Sequence, residues 1–380
     1  MWLDEPREPK APLAGLKVLE LARVLAGPWA GQTLADLGAD VIKVESPDGD
    51  GTRLWGPPFV TRSNGAREAA YYHGTNRGKR SITADYRDEA DLARVAELAR
   101  GADVVLENFK PGTLAKFGLD YASLSADNPE LVYCSISGFG QDGPRRDEPG
   151  YDFVVQAMSG FMALTGEPDG APMKHGLSIS DLFCGLWSTI AIQAALAMRQ
   201  KTGTGQHIDM ALFDCSVALL AHQAQSFFAT GRNPPRMGNL HAQVSAYGVF
   251  PTKDGPVVLA PANDGLFRKL LKLFGRDDLL GEERFATNEA RIANRAEIDG
   301  IIAAETAKWS REDLLLRCAE AGVPAGPIND IDEVFDDPQV RARGLAFPME
   351  DGLTGVRSPM RFSSAELALG DPSPMLGEHD

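Results

Sequence analysis

The first half of the chain alternates short apolar runs with segments of helical periodicity. Runs rich in valine, isoleucine and leucine predict buried strands, and the amphipathic segments between them predict helices. The predicted strands span residues 18–21, 40–45, 103–107 and 131–135, and the predicted helices span 29–37 and 89–100. Such alternation is typical of a parallel sheet covered on both faces. The sequence therefore predicts the α/β class, with a large doubly wound parallel-sheet domain over residues 12–215.

The pattern changes after His222. Two strand-like runs and then three helical segments predict a smaller α+β domain over residues 230–322, and Ser310 is placed to cap the last helix. The proline-rich tail over residues 323–380 is expected to return to the large domain. The strands are predicted at 242–250 and 256–260, and the helices at 264–274, 288–308 and 311–321.

Asp181 directly precedes an uncharged apolar run over residues 182–198. The run predicts a largely buried helix; its length would also suit a membrane span, but Ser188, Thr189 and Gln193 within it favour the buried helix. An aspartate at the start of a helix accepts backbone N–H bonds and lies at the positive end of the helix dipole. Both effects predict a carboxylate that is ionised at neutral pH, with helix capping as its simplest role.

Composition narrows the possible function classes. The 380 residues are 43% hydrophobic and 24% charged, as in ordinary soluble enzymes, and the net charge of −15 argues against nucleic-acid and anionic-membrane binding. An anionic substrate would therefore need a local patch of arginine and lysine. The four cysteines are widely spaced, without a CxxC pair, and the N-terminal segment has no signal-peptide pattern, so we expect a cytoplasmic protein with reduced thiols. The six histidines are scattered and predict no metal site.

Two common kinds of enzyme site fit the sequence poorly. The turn after the first strand lacks the GxGxxG pattern of nicotinamide-binding folds, because Pro28 and Trp29 stand where phosphate must approach the backbone. The chain also lacks the GxSxG motif of serine hydrolases. A basic cluster at residues 76–80 is either a solvated loop or a docking site for nucleotide phosphates.

Several segments, in this order and spacing, resemble the class III CoA-transferases, the family of formyl-CoA transferase, the carnitine CoA-transferases and the α-methylacyl-CoA racemases. The resemblance covers nearly the whole chain. It implies the doubly wound and smaller α+β domains, an interlocked homodimer, CoA or acyl-CoA as substrate without a permanently bound cofactor, and a catalytic aspartate at Asp181. The segments are LARVLAGP (21–28), GADVIKVE (38–45), NRGKRS (76–81), ENFKPG (107–112), SGFG (137–140), GYD (150–152), AMSG (157–160), ND (263–264) and AGVPAGP (321–327).

The resemblance also implies which residues contact CoA. A relative has an arginine where this chain has Lys116, so the phosphate contact remains only as a point charge. Two other family cations are absent, at Ser46 and Pro149, and basic residues elsewhere are expected to replace them. Trp55 and Tyr151 are weaker candidates for the acyl pocket and for a substrate carboxylate, with plain packing as the alternative. The implied CoA contacts are Val24, Leu25, Ala26, Ala84, Asn108 and Lys116, and the candidate replacements are Arg77, Lys79, Arg80 and Lys110.

Departures from the family patterns bear on the activity. The racemase branch has a histidine where this chain has Tyr151, and a phenol is a poor base at neutral pH. Residues 238–244 lack the glycine-rich flap of formyl-CoA transferases and resemble the dicarboxylate branch. The sequence therefore predicts CoA transfer from an acyl-CoA donor, with succinyl-CoA as the best candidate, to a carboxylic or dicarboxylic acid. The expected route is an aspartyl anhydride and an aspartyl-CoA thioester. An α-methylacyl-CoA racemase or epimerase is the alternative.

Overall fold

The alternation of strands and helices is present in the computed structural model, which describes all residues from 1 to 380. The strands are β1 Lys17–Glu20, β2 Asp40–Glu45, β3 Phe59–Thr61, β4 Arg67–Ala69, β5 Arg80–Thr83, β6 Val104–Glu107, β7 Val132–Ser137, β8 Gln206–Ala211, β9 Gly248–Pro251, β10 Pro256–Leu259, β11 Ala325–Pro327, β12 Ala346–Pro348 and β13 Thr354–Val356.

Helices follow most of these strands, and four short 3₁₀ helices lie at Gly51–Leu54, Leu114–Phe117, Asp277–Gly281 and Glu350–Gly352. The α-helices are α1 Ala26–Asp36, α2 Ala70–His73, α3 Glu89–Arg100, α4 Tyr121–Asp127, α5 Asp152–Met158, α6 Phe161–Leu164, α7 Ile179–Thr202, α8 Leu212–Ala218, α9 Ala221–Thr230, α10 Asp264–Leu273, α11 Glu283–Ala286, α12 Asn288–Ala293, α13 Arg295–Thr306, α14 Arg311–Ala321, α15 Ile331–Asp336 and α16 Pro338–Ala342.

Six strands form one parallel sheet in the order β5-β2-β1-β6-β7-β8. The order runs outward in one direction from β1 and in the other from β6, so the chain reverses its direction of winding between these two strands. Ligands of doubly wound sheets bind at this reversal, beyond the carboxyl ends of the strands. The predicted mixed α/β architecture with a parallel central sheet is confirmed, and the functional site is expected next to β1 and β6.

Both faces of this sheet are covered. On one face, apolar residues of α1, α7 and α8 pack on the sheet in a core that includes Leu34, Ile192 and Leu212. On the other face, α3 and α4 contribute Leu98 and Leu124 to a second core. Asp88 begins α3 by accepting the backbone N–H groups of the first helical turn, which agrees with the predicted start of that helix.

The chain forms two compact units. The first contains residues 1–162, 174–232 and 338–380, and the second contains 163–173 and 233–337. The predicted boundaries differ from this division, since residues 163–173 and 323–337 belong to the second unit and residues 230–232 to the first. The second unit contains the antiparallel sheet β11-β10-β9, packed against α10, α13 and α14.

Two helical predictions need correction. The segment 288–308 is not one helix, because α12 ends before Asn294 and α13 begins after it; the Asn294 side chain donates to the Ala290 carbonyl 2.9 Å away. The helix α7 is also not largely buried. Its inner face packs in the core through Cys184, Ile192 and Leu196, but Trp187 and Ile190 are 43% and 57% exposed. By length and composition α7 could cross a membrane, yet its inner face packs as a core helix does.

Candidate active site

A cavity of about 540 Å³ lies at the point where the sheet reverses its winding. All of its lining residues belong to the first unit. The loop after β1 contributes residues 23–26, the loop after β6 contributes 108–111, and the end of β7 contributes 136–138. Gly51, the segment 146–151, Asp181 and Leu212 complete the lining. The fold thus brings together residues from seven separate parts of the sequence.

Asp181 does not cap its helix. The helix α7 begins at Ile179, so Asp181 lies in its first turn, and no hydrogen bond to its carboxylate is found. The cap is supplied by Asp152 instead, whose Oδ1 accepts the backbone N–H of Ser180 at 2.9 Å. The Nε2 of Gln156 donates to the other Asp152 oxygen at 2.7 Å and holds this carboxylate in place. The predicted capping role of Asp181 is therefore wrong, and its carboxylate remains available to the cavity.

The environment of Asp181 favours the protonated acid more than the sequence predicted. Burial, and then the negative charge of Asp152, raises the pKa of Asp181 to about 7. The prediction of a fully ionised carboxylate at neutral pH is corrected accordingly. A less solvated carboxylate with a raised pKa is a stronger nucleophile when it is ionised, which suits covalent catalysis.

The pKa of Asp181 predicts the pH dependence of the reaction. If ionised Asp181 is the nucleophile, kcat/KM should rise with pH and reach half of its maximum near pH 7. Asp152→Asn removes the neighbouring charge but keeps an oxygen for the Ser180 N–H, so the inflection should move to lower pH. Asp142→Asn, on an exposed turn of the same unit, should leave the profile unchanged. A wild-type inflection below about pH 5 would contradict the raised pKa.

Glycines let the cavity walls approach each other. A Cβ atom added to Gly185, one turn after Asp181, would lie 2.6 Å from the Ala26 carbonyl oxygen. A Cβ atom on Gly138 would lie 2.6 Å from the Cα of Gly150. Helices α1 and α7, and the two loops that carry Gly138 and Gly150, can therefore pack closely only without side chains at these positions. This packing sets Asp181 beside the loop after β1.

The loop after β1 is fixed by Asn108. Its Oδ1 accepts the Arg23 N–H at 2.9 Å, and its Nδ2 donates to the Arg23 carbonyl at 2.7 Å. Leu25 and Ala26 follow at the start of α1, and their backbone N–H groups have no acceptor within the protein. The structure brings Val24, Leu25, Ala26, Asn108, Lys110, Tyr151 and Asp181 together around one cavity.

Three predicted CoA contacts lie elsewhere. Arg80 is buried and ion-paired with Asp40 at 2.6 Å, Ala84 is part of the core under α3, and Lys116 is exposed away from the cavity lining. Their parts in CoA binding stay predictions that the geometry of this cavity does not support. Trp55 is also outside the lining and packs edge-on against Tyr71 with ring centroids 5.4 Å apart.

The basic cluster at residues 76–80 is neither a solvated loop nor an exposed docking site. Arg77 pairs with Asp36 at 2.6 Å, and Lys79 pairs with Glu20 at 2.8 Å, and all of these side chains are almost wholly buried. These cations are committed to partners inside the fold. Neither they nor Arg80 supply the charge expected at Ser46 and Pro149.

The cations that do line the cavity are Arg23, Lys110 and Arg146. Lys110 lies 3.7 Å from Asp147, whereas no ion pair is found for Arg23 or Arg146. The Arg23 guanidinium lies over the Phe109 ring, 5.3 Å from its centroid. Asp147, Glu148 and Asp181 also line the cavity, so the two unpaired arginines are the cations that it offers to an anionic substrate in a protein with a net charge of −15.

Sequence reasoning missed three residues of this site. Asp152 was part of a recognised motif, but its contact with α7 joins residues 28 positions apart. Arg146 lies in a turn with two consecutive arginines, a signal that could have identified it. Tyr71 lies close enough to Asp181 for the aspartate charge to raise the pKa of the phenol, after the larger effect of burial. It is on the short helix α2, which had not been predicted.

The chain is similar to known proteins along nearly its whole length. Residues 13–380 match the family model of CoA-transferase family III. The succinate–glutarate CoA-transferase of Agrobacterium fabrum is 56% identical, covering 97% of this chain and 94% of that protein. The human succinyl-CoA:glutarate CoA-transferase is 39% identical, covering 100% and 87%. The crystal structure of a CAIB/BAIF family protein from Brucella suis has a TM-score of 0.88 and 56% identity, covering 97% of each chain.

Proposed function

Because the chain belongs to CoA-transferase family III, which confirms the predicted family and an enzymatic role, we propose that it transfers CoA from succinyl-CoA to glutarate or a related dicarboxylate. The observation that carries this proposal is Asp181, whose carboxylate takes no hydrogen bond and lines the cavity at the reversal of the sheet. The names of the relatives support the choice of dicarboxylates.

In the proposed reaction, Asp181 is an alternating nucleophile and electrophile. Its carboxylate attacks the thioester carbonyl of succinyl-CoA, the C–S bond breaks, and a mixed anhydride and CoA thiolate form. The thiolate then attacks the aspartyl carbonyl and releases succinate, leaving an aspartyl-CoA thioester. The acceptor carboxylate attacks the aspartyl carbonyl of this thioester, the C–S bond breaks, and a second mixed anhydride and CoA thiolate form. The thiolate then attacks the acceptor carbonyl of this anhydride, and the bond between that carbonyl and the aspartate oxygen breaks. The products are acceptor-CoA and a regenerated aspartate.

Each attack places negative charge on a carbonyl oxygen. The free N–H groups of Leu25 and Ala26 stand at the cavity wall, at the positive end of α1. Fixed donors of this kind stabilise a developing oxyanion without reorganising. We assign the oxyanion site to these two N–H groups, because Leu25, Ala26 and Asp181 line the same cavity.

The nucleotide end of CoA carries several phosphate charges, and Arg23 and Arg146 are suited to bind them. Arg146→Gln is expected to raise KM for succinyl-CoA about tenfold or more while kcat stays nearly constant, since a lost charged hydrogen bond costs roughly 1.5–3 kcal/mol. Arg145→Gln is the matched control, because the neighbouring Arg145 pairs with Glu148 at 2.7 Å and does not line the cavity.

A truncated substrate shows which anion Arg146 binds. Succinyl-pantetheine lacks the nucleotide, so its KM should be unaffected by Arg146→Gln. A larger effect of the variant on KM for glutarate than on KM for succinyl-CoA would instead assign Arg146 to the acceptor carboxylate.

The proposed reaction is tested by mixing the enzyme with a panel of acyl-CoA donors and carboxylate acceptors and identifying the new thioesters by mass spectrometry. Succinyl-CoA with glutarate should give glutaryl-CoA and succinate. The same enzyme in deuterated water should not exchange the α-proton of 2-methylacyl-CoA, since Tyr151 replaces the base that a racemase needs. Rapid exchange without CoA transfer would establish the racemase alternative and overturn the proposal.

We further propose that the enzyme works as an interlocked homodimer in the cytoplasm. The first unit exposes large apolar side chains on α5, α7 and α9, a pattern that marks interaction surfaces when the residues are contiguous. The four free, buried thiols suit a reducing compartment. The exposed side chains include Phe153, Val154, Trp187, Ile190, Met198, Phe227 and Phe228.

An interlocked dimer is expected to resist dilution. Its chains cannot separate without local unfolding, and the interface should exceed the roughly 1,600 Å² of a standard complex. Sedimentation velocity at nanomolar concentration should therefore show only dimer. A reversible monomer that still binds CoA would contradict the interlocked assembly.

A further inference from the structure

Val24 has an unusual backbone conformation. Its φ angle is +70°, in the left-handed region that β-branched residues rarely adopt because of steric conflict with their own side chain. Val24 stands between Arg23 and Leu25, and all three residues line the cavity that contains Asp181. Strained backbone of this kind persists only where surrounding contacts enforce it, and such positions concentrate at functional sites.

The contact that acts directly on Val24 comes from Asp50. The Val24 N–H donates to Asp50 Oδ2 at 3.1 Å, while the preceding residue, Arg23, is held at both its N–H and its carbonyl by Asn108. The peptide groups on both sides of Arg23 are thus fixed by side chains from distant segments. The chain continues from Val24 through Leu25 into α1, and the N–H groups of Leu25 and Ala26 have no acceptor within the protein.

Asp50 is itself held in a defined orientation. Its Oδ1 accepts the N–H and the hydroxyl of Thr52 at 3.0 and 2.8 Å, and its Oδ2 also lies 3.1 Å from Lys43 Nζ. Lys43 in turn donates to the Ala22 carbonyl at 2.8 Å. The side chains of Asp50 and Lys43 are completely buried. Lys43 and the other contacts lower the pKa of Asp50 to about 2, against the opposing effect of burial, so it is ionised.

We propose that Asp50 is a positioning residue for CoA transfer: by accepting the Val24 N–H, it holds Val24 in the left-handed conformation that presents the Leu25 and Ala26 N–H groups to the reacting carbonyl. Without this acceptor, Val24 relaxes toward negative φ and the following peptide groups rotate away. The inference rests on the proposed function, because its effect is on the transition state of acyl transfer.

A double-mutant cycle tests the inference. Asp50→Asn keeps the size of the side chain but has a single acceptor oxygen. It therefore cannot accept hydrogen bonds from both Val24 and Thr52 while it also contacts Lys43. In the wild-type background it should lower kcat with succinyl-CoA and glutarate by roughly ten- to a hundredfold, with KM changed less than about threefold, as expected for an interaction made in the transition state. Val24→Gly adopts positive φ without strain, so adding Asp50→Asn to it should cost less than about threefold.

Two further variants serve as a control for the contact with Thr52 and as a substitute if Asp50→Asn does not fold. Thr52→Val removes one hydrogen bond on the other side of Asp50 and should lower kcat less than about threefold. If Asp50→Asn does not fold, as judged by circular dichroism and thermal unfolding, Asn108→Ala takes its place in the same cycle, because it releases the peptide group before Val24.

The results separate the inference from the proposed function. Equal losses from Asp50→Asn in the wild-type and Val24→Gly backgrounds, or no loss at all, would overturn the positioning role while CoA transfer by the wild type still stands. Absence of glutaryl-CoA formation by the wild-type enzyme would instead overturn the proposed function.

Discussion

Replacing Asp181 with alanine should lower kcat for CoA transfer by about a thousandfold or more, since loss of a covalent nucleophile removes the route through which both half-reactions proceed. No other group of the cavity offers an equivalent route. The other carboxylates of the lining are ion-paired, Asp147 with Lys110 and Glu148 with Arg145. Asp152, next to the cavity, is engaged by the Ser180 N–H and by Gln156. Binding of CoA should persist in the variant, because Arg23 and Arg146 are unchanged.

Trapping identifies the intermediate. Hydroxylamine added during turnover should convert Asp181 of the wild-type enzyme to a hydroxamate, detected by peptide mass spectrometry, and should leave Asp181→Asn unmodified. Asp214→Ala is the matched control, since Asp214 also lies in the first turn of a helix of the same unit but outside the cavity. It should retain near-wild-type turnover. An Asp181→Ala variant that keeps more than about a thousandth of wild-type kcat would place the nucleophile elsewhere.

The sequence predicted correctly those strands and helices whose type and bounds are set by neighbouring residues. The strand Asp40–Glu45 has the predicted bounds because it is a nearly continuous run of buried residues. The helix Glu89–Arg100 also has the predicted bounds, because an aspartate cap precedes its amphipathic pattern. The strand Gln206–Ala211 was missed, since His207 and Asp209 alternate with its apolar residues and suggest a surface segment. Their polarity fits an edge strand, because β8 ends the sheet and both side chains are exposed. His207 also stacks on Tyr121 and contacts the Ser135 hydroxyl at 2.9 Å.

The site was less predictable because its electrostatics depend on long-range contacts. The family motifs identified Asp181, yet the pKa of its carboxyl depends on burial and on Asp152, which no local pattern connects to it. The basic cluster at 76–80 was misjudged for the same reason. Arg77 and Arg80 find their aspartate partners about forty residues earlier, and those aspartates belong to different elements. A charge run therefore predicts a charged surface only when the fold leaves it without partners.

Glu20 is the clearest example of a charged side chain that is buried together with its partners. Replacing it should have the largest effect on the free energy of unfolding. Its carboxylate lies 3.1 Å from Lys43 Nζ and 2.8 Å from Lys79 Nζ, and all three side chains are fully buried. Lys43 binds the Ala22 carbonyl and Lys79 binds the Pro28 carbonyl at 2.9 Å, so the group joins both ends of the loop after β1. Burial lowers the pKa of Lys79 to about 8 even with Glu20 present.

Glu20→Gln leaves the buried Lys79 ammonium without a carboxylate partner and leaves Lys43 with Asp50 alone. It should reduce the free energy of unfolding by about 3–5 kcal/mol, the usual result of removing one partner of a buried ion pair. Denaturant unfolding at one fixed protein concentration measures the loss. Glu366→Gln makes the same chemical change in the exposed pair of Glu366 with Lys10, and it should cost less than about 1 kcal/mol.

Removing a lysine as well distinguishes the buried charge from simple loss of packing. Lys79→Met combined with Glu20→Gln should be more stable than Glu20→Gln alone, because one uncompensated charge is gone while an apolar chain of similar length remains. A double variant that is less stable than Glu20→Gln would show that the lysine contacts with Pro28 and Asn76, at 2.9 and 2.8 Å, matter more than its charge balance. The loop after β1 would then be held by those hydrogen bonds, and Glu20 would serve mainly to keep Lys79 charged.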